Sequence, residues 1–224
     1  MAAQEHHISV TRSARYFQLG DLSAATRQVW FACHGYGQLA GYFIRHFAAL
    51  TAADPTLVVV APEGLSRFYL AGNTSGQGRI GATWMTREDR LTEIEDYVNY
   101  LNQLSATVLA AVPAARVTVL GFSQGAATVS RWLSRARFRP ARLILWAGIF
   151  PPDMTFALAA DLLRDLPVTL VAGTEDEFLR AADLEQQRQF LRQLGVEPEV
   201  LRFVGGHTLH ADVLRQLHPG GSST

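Results

Sequence analysis

The chain contains a single cysteine among its 224 residues, which excludes an intramolecular disulfide and a cysteine-rich zinc site. It also lacks any block of like charge, since its 20 basic and 20 acidic residues balance. This balance argues against electrostatic binding to nucleic acid or to an anionic membrane. No stretch of about 18 uninterrupted apolar residues is present, which argues against a transmembrane helix and stable membrane insertion.

The start of the sequence lacks the basic region and apolar stretch of a signal peptide, so we expect a soluble, cytoplasmic protein. With 48% hydrophobic and 18% charged residues, the composition is that of a globular chain and not of a disordered one. The length predicts one α/β domain over residues 1–224. Cys33 ends the apolar run 29–33 and is predicted to be a buried strand residue.

Apolar segments alternate with stretches of helical periodicity along the chain. The predicted strands are residues 28–32, 57–61, 117–120, 143–147, 168–171 and 200–203. The predicted helices are residues 42–53, 91–112, 124–135, 181–194 and 209–217. This alternation is typical of a mostly parallel sheet covered by helices on both faces. We also expect residues 8–12 and 14–18 to form an antiparallel hairpin at the sheet edge, and the tail 219–224 to fray.

One serine is placed at a sharp predicted turn between a strand and a helix. Residues 121–125, GFSQG, match the G-x-S-x-G nucleophile elbow, in which small residues on both sides of the serine allow a strained backbone turn. Ser123 is therefore predicted to project its hydroxyl at the carboxyl edge of the sheet, beside a helix N-terminus that favours developing negative charge. The alternative is a glycine-punctuated turn whose serine only caps the helix.

A serine nucleophile needs a general base, and the base needs an orienting carboxylate. Around such an elbow the chain order is Ser, then acid, then His. The predicted acid is Asp176, which follows the apolar strand 168–171 and a turn of small residues. Glu175 and Glu177 flank it, and alternation of side-chain direction does not exclude them.

Three histidines follow Asp176 in the chain: His207, His210 and His218. His207 comes after a strand and a Gly-Gly turn, so its ring can reach a serine on another loop. His210 is predicted to lie in the last helix, and His218 lies near the chain end. His207 is therefore the predicted base, with His210 as its rival.

The oxyanion formed during acyl transfer needs two backbone N–H donors. The first is predicted to be Gln124, directly after the nucleophile. The second is predicted to be Tyr36, in the glycine-containing loop after the strand 28–32, because glycines let the backbone approach the substrate closely. The His34 side chain is predicted to hold this loop by hydrogen bonds and to take no part in the chemistry.

The segment 63–90 carries five glycines among scattered aromatic residues and has no clear helical period. Long connections without regular structure are uncommon in compact domains and are usually functional or disordered. Its aromatic residues argue against disorder, and two interpretations stay open: a lid or pocket wall over Ser123, or a small hairpin packed on the core. Under the first, the substrate pocket includes Phe68, Tyr69, Trp84 and Met85.

Four motifs together, HGYGQ, GFSQGAA, AGTEDEF and GGHTL, resemble the phospholipase/carboxylesterase family of α/β-hydrolases, which includes acyl-protein thioesterases and bacterial carboxylesterases. The correspondence runs in order over nearly the whole chain, from about residue 29 to residue 217. The resemblance implies an α/β-hydrolase fold and hydrolysis of acyl esters or thioesters without a metal or organic cofactor. It also implies the triad Ser123, Asp176 and His207, with oxyanion N–H groups from Tyr36 and Gln124.

The chain departs from the usual family pattern at Gln38, Ala126 and Glu177, where family members often carry Asp, Gly and Pro. These departures leave the chemical roles intact but concern the pocket, so the substrate stays open. We predict a serine hydrolase that cleaves small-molecule carboxylic esters of small to medium acyl chains through an acyl-enzyme. The alternatives are a thioesterase or lysophospholipase acting on longer acyl chains, and a non-catalytic ligand-binding protein of the same fold.

Overall fold

A seven-stranded sheet forms the centre of the structure, a computed structural model that describes residues 2–70, 78–154 and 156–218. In chain order its strands are β1 (Tyr16–Leu19), β2 (Gln28–Cys33), β3 (Leu57–Pro62), β6 (Arg116–Phe122), β7 (Arg142–Trp146), β8 (Val168–Gly173) and β9 (Glu199–Phe203). A separate pair consists of β4 (Ser66–Tyr69) and β5 (Ile80–Thr83). The large sheet has the order β1-β3-β2-β6-β7-β8-β9, and only β1 runs antiparallel to its neighbour. The predicted mostly parallel sheet is confirmed.

Helices cover both faces of this sheet. They are α1 (Ala40–Phe43), a 3-10 helix (Ile44–Phe47), α2 (Ala48–Ala53), α3 (Arg90–Ala111), α4 (Gln124–Leu133), α5 (Phe156–Leu163), α6 (Ala181–Gln193) and α7 (Ala211–Leu217). Side chains of α3, α4, α5 and α6 form one apolar core with Phe31, whereas α1, the 3-10 helix, α2 and α7 form a second core with Trp30. Because successive strand residues point to opposite faces, a strand buried on both sides is largely apolar, as β2, β3 and β8 are.

Two helix predictions differ from the structure. The predicted single helix 42–53 is divided into α1, the 3-10 helix and α2. Helix α5 was not predicted, because its segment follows two prolines and carries few polar residues that would mark one helix face.

The predicted N-terminal hairpin is wrong. Residues 8–12 are exposed and belong to no strand, and β1 pairs instead with β3, with Tyr16 opposite Pro62 and Leu19 opposite Val59. An isolated two-stranded hairpin is only marginally stable in water, whereas the buried strand β3 offers β1 a place in a large sheet. The antiparallel edge strand was thus predicted, but its partner was not.

Strands β4 and β5 form an antiparallel pair in which Ser66 lies opposite Thr83 and Tyr69 opposite Ile80. An isolated bridge between Gln38 and Ala82 joins this pair to the loop after β2. These contacts favour the hairpin interpretation of segment 63–90. Residues 71–77 and the tail 219–224 lie outside the described residues, so the lid function and the frayed tail stay predictions.

None of the described helices has both the length and the apolar character needed to cross a membrane. The cytoplasmic location stays a prediction. Cys33 is fully buried at the end of β2, as predicted, and this burial raises the pKa of its thiol.

Candidate active site

The three predicted triad residues and Tyr36 follow strands of the large sheet at one of its edges. Strands β2, β6, β8 and β9 run parallel, so their carboxyl ends lie at the same edge. Residues 35–39, which include the predicted donor Tyr36 and are called the oxyanion loop below, follow β2 closely, and Ser123 follows β6 directly. Asp176 and His207 follow β8 and β9. In open α/β sheets, ligands bind at this edge.

Ser123 lies at a strained turn between β6 and α4, with φ 54° and ψ −116°. A Cβ atom added at Gly121 would lie 2.3 Å from the carbonyl oxygen of Gly125, and one added at Gly125 would lie 2.3 Å from the carbonyl oxygen of Cys33. Both positions therefore require glycine. A left-handed φ costs free energy at a residue other than glycine, and such strain is concentrated at functional sites. The geometry of the predicted nucleophile elbow is present.

Asp176 and His207 lie in contact, although 31 residues separate them. Nδ1 of His207 is 3.0 Å from Oδ1 and 2.9 Å from Oδ2 of Asp176. The Asp176 side chain is fully buried and also accepts hydrogen bonds from the backbone N–H groups of Phe178 and Leu179, at 2.8 and 3.0 Å. An ionised carboxylate only accepts hydrogen bonds, so Nδ1 carries the proton and Nε2 is left to accept one.

The two glutamates that flank Asp176 are exposed. Neither Glu175 nor Glu177 makes a hydrogen bond or an ion pair with His207 among the described residues. Of the three carboxylates left open by the sequence, the structure brings Asp176 to the imidazole.

Two phenylalanine rings contact the His207 imidazole. The buried Phe122, just before Ser123, has its ring centroid 5.0 Å from that of His207. Phe178 lies edge-on at 4.8 Å, and 71% of this residue is exposed. Within the described chain, no hydrogen bond joins the Ser123 hydroxyl to His207. Such bonds are often long without substrate and tighten in the reacting complex.

The two other histidines after Asp176 have different surroundings. The ring of His210 packs against Phe203, with the centroids 5.1 Å apart, at the start of α7. His218 forms an ion pair with Asp54, with 3.1 Å between Nε2 and Oδ2. Of these three histidines, His207 alone makes a hydrogen bond with Asp176 in the part of the chain that the structure describes.

The oxyanion loop lies directly against the elbow. A Cβ atom added at Gly35 would be 3.1 Å from Cβ of Ser123. The N–H of Gly35 donates to Oε1 of Gln38 at 2.8 Å, and the N–H of Gly37 donates to the carbonyl of Ala82 at 2.9 Å. The N–H of Tyr36, between them, has no acceptor among the described residues, and so it is available to a ligand.

The second predicted donor is at the beginning of α4. Gln124 is the first residue of this helix, and N–H groups in a first helical turn have no partner within the helix. Its side chain has a function that the sequence did not suggest, since Oε1 accepts from the N–H of Trp84 at 3.2 Å and Nε2 donates to the carbonyl of Met85 at 2.8 Å. Gln124 thereby ties the segment after β5 to the elbow.

His34 holds the loop as predicted. Its Nε2 accepts from the N–H of Gly64 at 3.0 Å, so the proton is on Nδ1, which lies 2.7 Å from the carbonyl oxygen of Gly35. Burial lowers the pKa of this imidazole and favours its neutral form.

The four predicted pocket residues lie in different environments. Phe68 stacks beside Tyr36, with ring centroids 5.2 Å apart, and Tyr69 is exposed. The position of Trp84 does not support the predicted lining function, because its side chain is buried and its Nε1 donates to the carbonyl of His34 at 2.8 Å. Met85 is partly buried against the core. The exposed Phe178 was not predicted, since nothing in the motif around Asp176 indicates that its ring contacts the base.

One group of possible metal ligands is present among the described residues. It consists of Glu5, His7 and Asp89, all exposed and none of them a predicted site residue. Exposed groups of this kind are common without a metal, so we assign it no function.

The parallel sheet, the two helix layers and the strained serine elbow define an α/β-hydrolase. The chain belongs to the phospholipase/carboxylesterase family, whose model matches residues 23–218. A sequence comparison with curated proteins gives no significant match.

Solved structures with the same fold include three hydrolases by their names. Esterase PE8 is 22% identical, with a TM-score of 0.70 over 92% of this chain and 96% of its own. Acyl-protein thioesterase 2 from Zea mays is 16% identical, with a TM-score of 0.68 over 92% and 96%. A carboxylesterase from Mesorhizobium loti is 20% identical, with a TM-score of 0.67 over 91% and 93%. At these identities the likeness shows the shared fold, and family membership supports an esterase-type hydrolase.

Proposed function

We propose that this protein is a serine hydrolase that cleaves carboxylic esters of small to medium acyl chains. The observation that carries the proposal is the contact between the buried Asp176 carboxylate and Nδ1 of His207, at 2.9 Å, at the sheet edge where Ser123 lies in a strained turn. A serine, a carboxylate and an imidazole that follow one another along the chain in that order are the parts of an acyl-transfer triad.

In the proposed reaction, Oγ of Ser123 attacks the ester carbonyl carbon while its proton passes to Nε2 of His207. Asp176 keeps the imidazole in the required tautomer and stabilises the imidazolium. The N–H groups of Tyr36 and Gln124 donate to the oxyanion, and each such donor contributes about 3 kcal/mol to transition-state stabilisation.

Collapse of the tetrahedral intermediate breaks the bond to the alcohol, which leaves with the proton held by His207. Water then gives a proton to His207 and attacks the acyl group on Ser123. The second tetrahedral intermediate releases the carboxylic acid and returns the proton to Oγ. The overall reaction consumes only the ester and water and releases the alcohol and the carboxylic acid.

A second candidate function is hydrolysis of acyl thioesters or lysophospholipids with longer chains. The observation in its favour is that three large aromatic side chains are exposed, Tyr36 in the oxyanion loop, Tyr69 in β4 and Phe178 against His207, and offer apolar surface. Such a surface suits a long acyl chain. p-Nitrophenyl esters of increasing length, compared with acyl thioesters of the same chains, distinguish the two candidates by their kcat/KM.

Covalent labelling with a fluorophosphonate tests the shared mechanism. We expect the label on the Ser123 peptide in mass spectrometry, and we expect Ser123→Ala and His207→Ala to abolish both labelling and ester hydrolysis. His210→Ala is the matched control and should remain active, because its ring packs on Phe203. Wild-type turnover in Ser123→Ala or His207→Ala would refute the mechanism. A folded wild-type protein with neither labelling nor hydrolysis would favour a ligand-binding function.

A further inference from the structure

Glu63 is a buried carboxylate that the proposed reaction does not use. It follows β3 directly, and its side chain is 1% exposed. Nε and Nη2 of Arg15 lie 3.0 and 2.7 Å from Oε1, and Nη2 is also 3.0 Å from Oε2. Nη1 of Arg67 lies 3.2 Å from Oε1. A buried carboxylate is costly unless it is paired and hydrogen-bonded, and here two guanidinium groups satisfy it.

The same carboxylate reaches the end of the oxyanion loop. Oε2 of Glu63 accepts a hydrogen bond from the N–H of Ala40 at 3.2 Å. Ala40 begins α1 and directly follows residues 35–39. This contact fixes the point at which the loop becomes a helix.

The next residue in the chain holds the start of the same loop. The N–H of Gly64 donates to Nε2 of His34 at 3.0 Å, and Nδ1 of His34 lies 2.7 Å from the carbonyl oxygen of Gly35. Residues 63 and 64 thus hold both ends of the loop, and between the two attachment points lies the N–H of Tyr36, which has no acceptor among the described residues.

The two arginines connect Glu63 to other parts of the chain. Arg15 lies just before β1, and its carbonyl accepts from the N–H of Glu63 at 3.0 Å and from the Tyr100 hydroxyl at 2.9 Å. Arg67 belongs to β4 of the hairpin, and both arginine side chains are about half exposed (48% and 47%). Both arginines belong to segments outside the oxyanion loop. Because they hold the Glu63 carboxylate from there, the carboxylate in turn fixes the position of the Ala40 N–H.

We propose that Glu63 is a positioning residue that sets the Tyr36 N–H at the distance required by the transition-state oxyanion. The proposal rests on the serine-hydrolase function proposed above. Loss of an oxyanion donor lowers kcat by about 10²- to 10³-fold, and a displacement of 1 Å can itself cost about 10²-fold. Since Glu63 acts through the loop, its substitution should have an intermediate effect.

The test compares Glu63→Gln with Glu93→Gln. Glu93 is a matched control, because its carboxylate also holds segment 63–90, through Ser66 Oγ at 3.3 Å and the Thr86 N–H at 2.6 Å, but does not touch the oxyanion loop. For Glu63→Gln we expect kcat for p-nitrophenyl esters to fall by about 10- to 100-fold with KM nearly unchanged. For Glu93→Gln we expect wild-type kinetics.

The inhibition constant of an alkyl trifluoromethyl ketone distinguishes a positioning function of Glu63 from a purely structural one, because a purely structural function would leave this constant unchanged. Ser123 adds to this ketone and forms an oxyanion in the same hole, so its inhibition constant should rise in Glu63→Gln by the same factor as kcat falls. Arg15→Gln, at a half-exposed position, should give a smaller change in the same direction and decides the question if Glu63→Gln does not fold.

Folded Glu63→Gln and Arg15→Gln proteins with wild-type kcat and inhibition constant would overturn the inference. A fall in kcat with an unchanged inhibition constant would overturn it too, because oxyanion binding would then be intact. A folded wild-type protein that is neither labelled at Ser123 nor able to hydrolyse esters overturns the proposed function, and this inference with it. Failure of the proposed function is visible in the wild-type protein without any variant, so it is distinguishable from failure of the inference on Glu63.

Discussion

The contacts that anchor the Asp176 carboxylate to the backbone and the contacts that anchor the loop after β2 differ in range. The Asp176–His207 pair itself joins residues 31 positions apart. On the acid–base side, Asp176 accepts hydrogen bonds from Phe178 and Leu179, two and three residues further along the chain. On the oxyanion side, the loop after β2 is held by Glu63 and Gly64, which are 23 and 30 residues from their partners Ala40 and His34.

This difference has a consequence for substitutions. A side held by local backbone contacts should depend on the identity of the proposed triad side chain itself. A side held by distant side chains depends on residues that take no part in the chemistry. On the Asp176 side, substitution should cause a large loss of activity at a single position. On the side of the oxyanion loop, it should cause smaller losses of activity at several positions.

The most severe test on the acid–base side is Asp176→Asn. An asparagine keeps the shape and can still accept the two backbone N–H groups, but it no longer holds the His207 tautomer or stabilises the imidazolium. We expect kcat to fall by about 10⁴-fold with KM little changed, measured with p-nitrophenyl esters. Glu175→Gln and Glu177→Gln, at exposed neighbouring positions, should retain wild-type kcat. A comparable loss of kcat in either control would show that Asp176 is not the only carboxylate that orients His207.

The contrast in range also explains how much of the site could be predicted. The elbow and the Asp and His loops each consist of a strand followed by a short turn, so composition and order alone placed Ser123, Asp176 and His207 at one sheet edge. The sequence does not distinguish Asp176 from Glu175, because the distinction depends on which carboxylate is buried in the folded protein. The sequence carries no local signal for the contact of Glu63 with Ala40.

The same reasoning applies to the fold. The buried parallel strands are apolar runs, and their alternation with helices predicted both the sheet and its two helix layers. The pairing of β1 with β3 joins residues at least 40 positions apart, with Leu19 opposite Val59, and sequence periodicity does not specify a partner. Trp84 looked like a lid residue because its segment is rich in glycine and aromatics, yet its ring packs on His34 with centroids 5.0 Å apart.

Gly125→Ala tests the close contact between the start of α4 and the end of β2, where the two sides of the site meet. The added Cβ would lie 2.3 Å from the Cys33 carbonyl oxygen and 2.8 Å from that of His34, so β2 and α4 must separate. We expect a loss of about 3 kcal/mol in the free energy of unfolding, measured by denaturant titration, because backbone cannot yield as a flexible side chain does. Gly206→Ala is the matched control, since its nearest neighbour would be 3.7 Å away and little stability should be lost. Equal stability of the two variants would contradict the close packing at the elbow.

The smallest expected effect is a pH dependence of stability that originates on the oxyanion side. Burial lowers the pKa of His34 below the 6.5 of a free imidazole, so the unfolded chain binds this proton more readily than the folded protein does. The free energy of unfolding should therefore be fully retained above pH 6.5 and should fall as the pH drops toward the folded-state pKa of His34. Protonation of Nε2 would also remove the acceptor for the Gly64 N–H. In His34→Gln, urea titrations between about pH 5 and 7 should give a weaker dependence on pH than in the wild type. Parallel dependences in the two proteins would mean that His34 is not the buried, neutral anchor of the oxyanion loop.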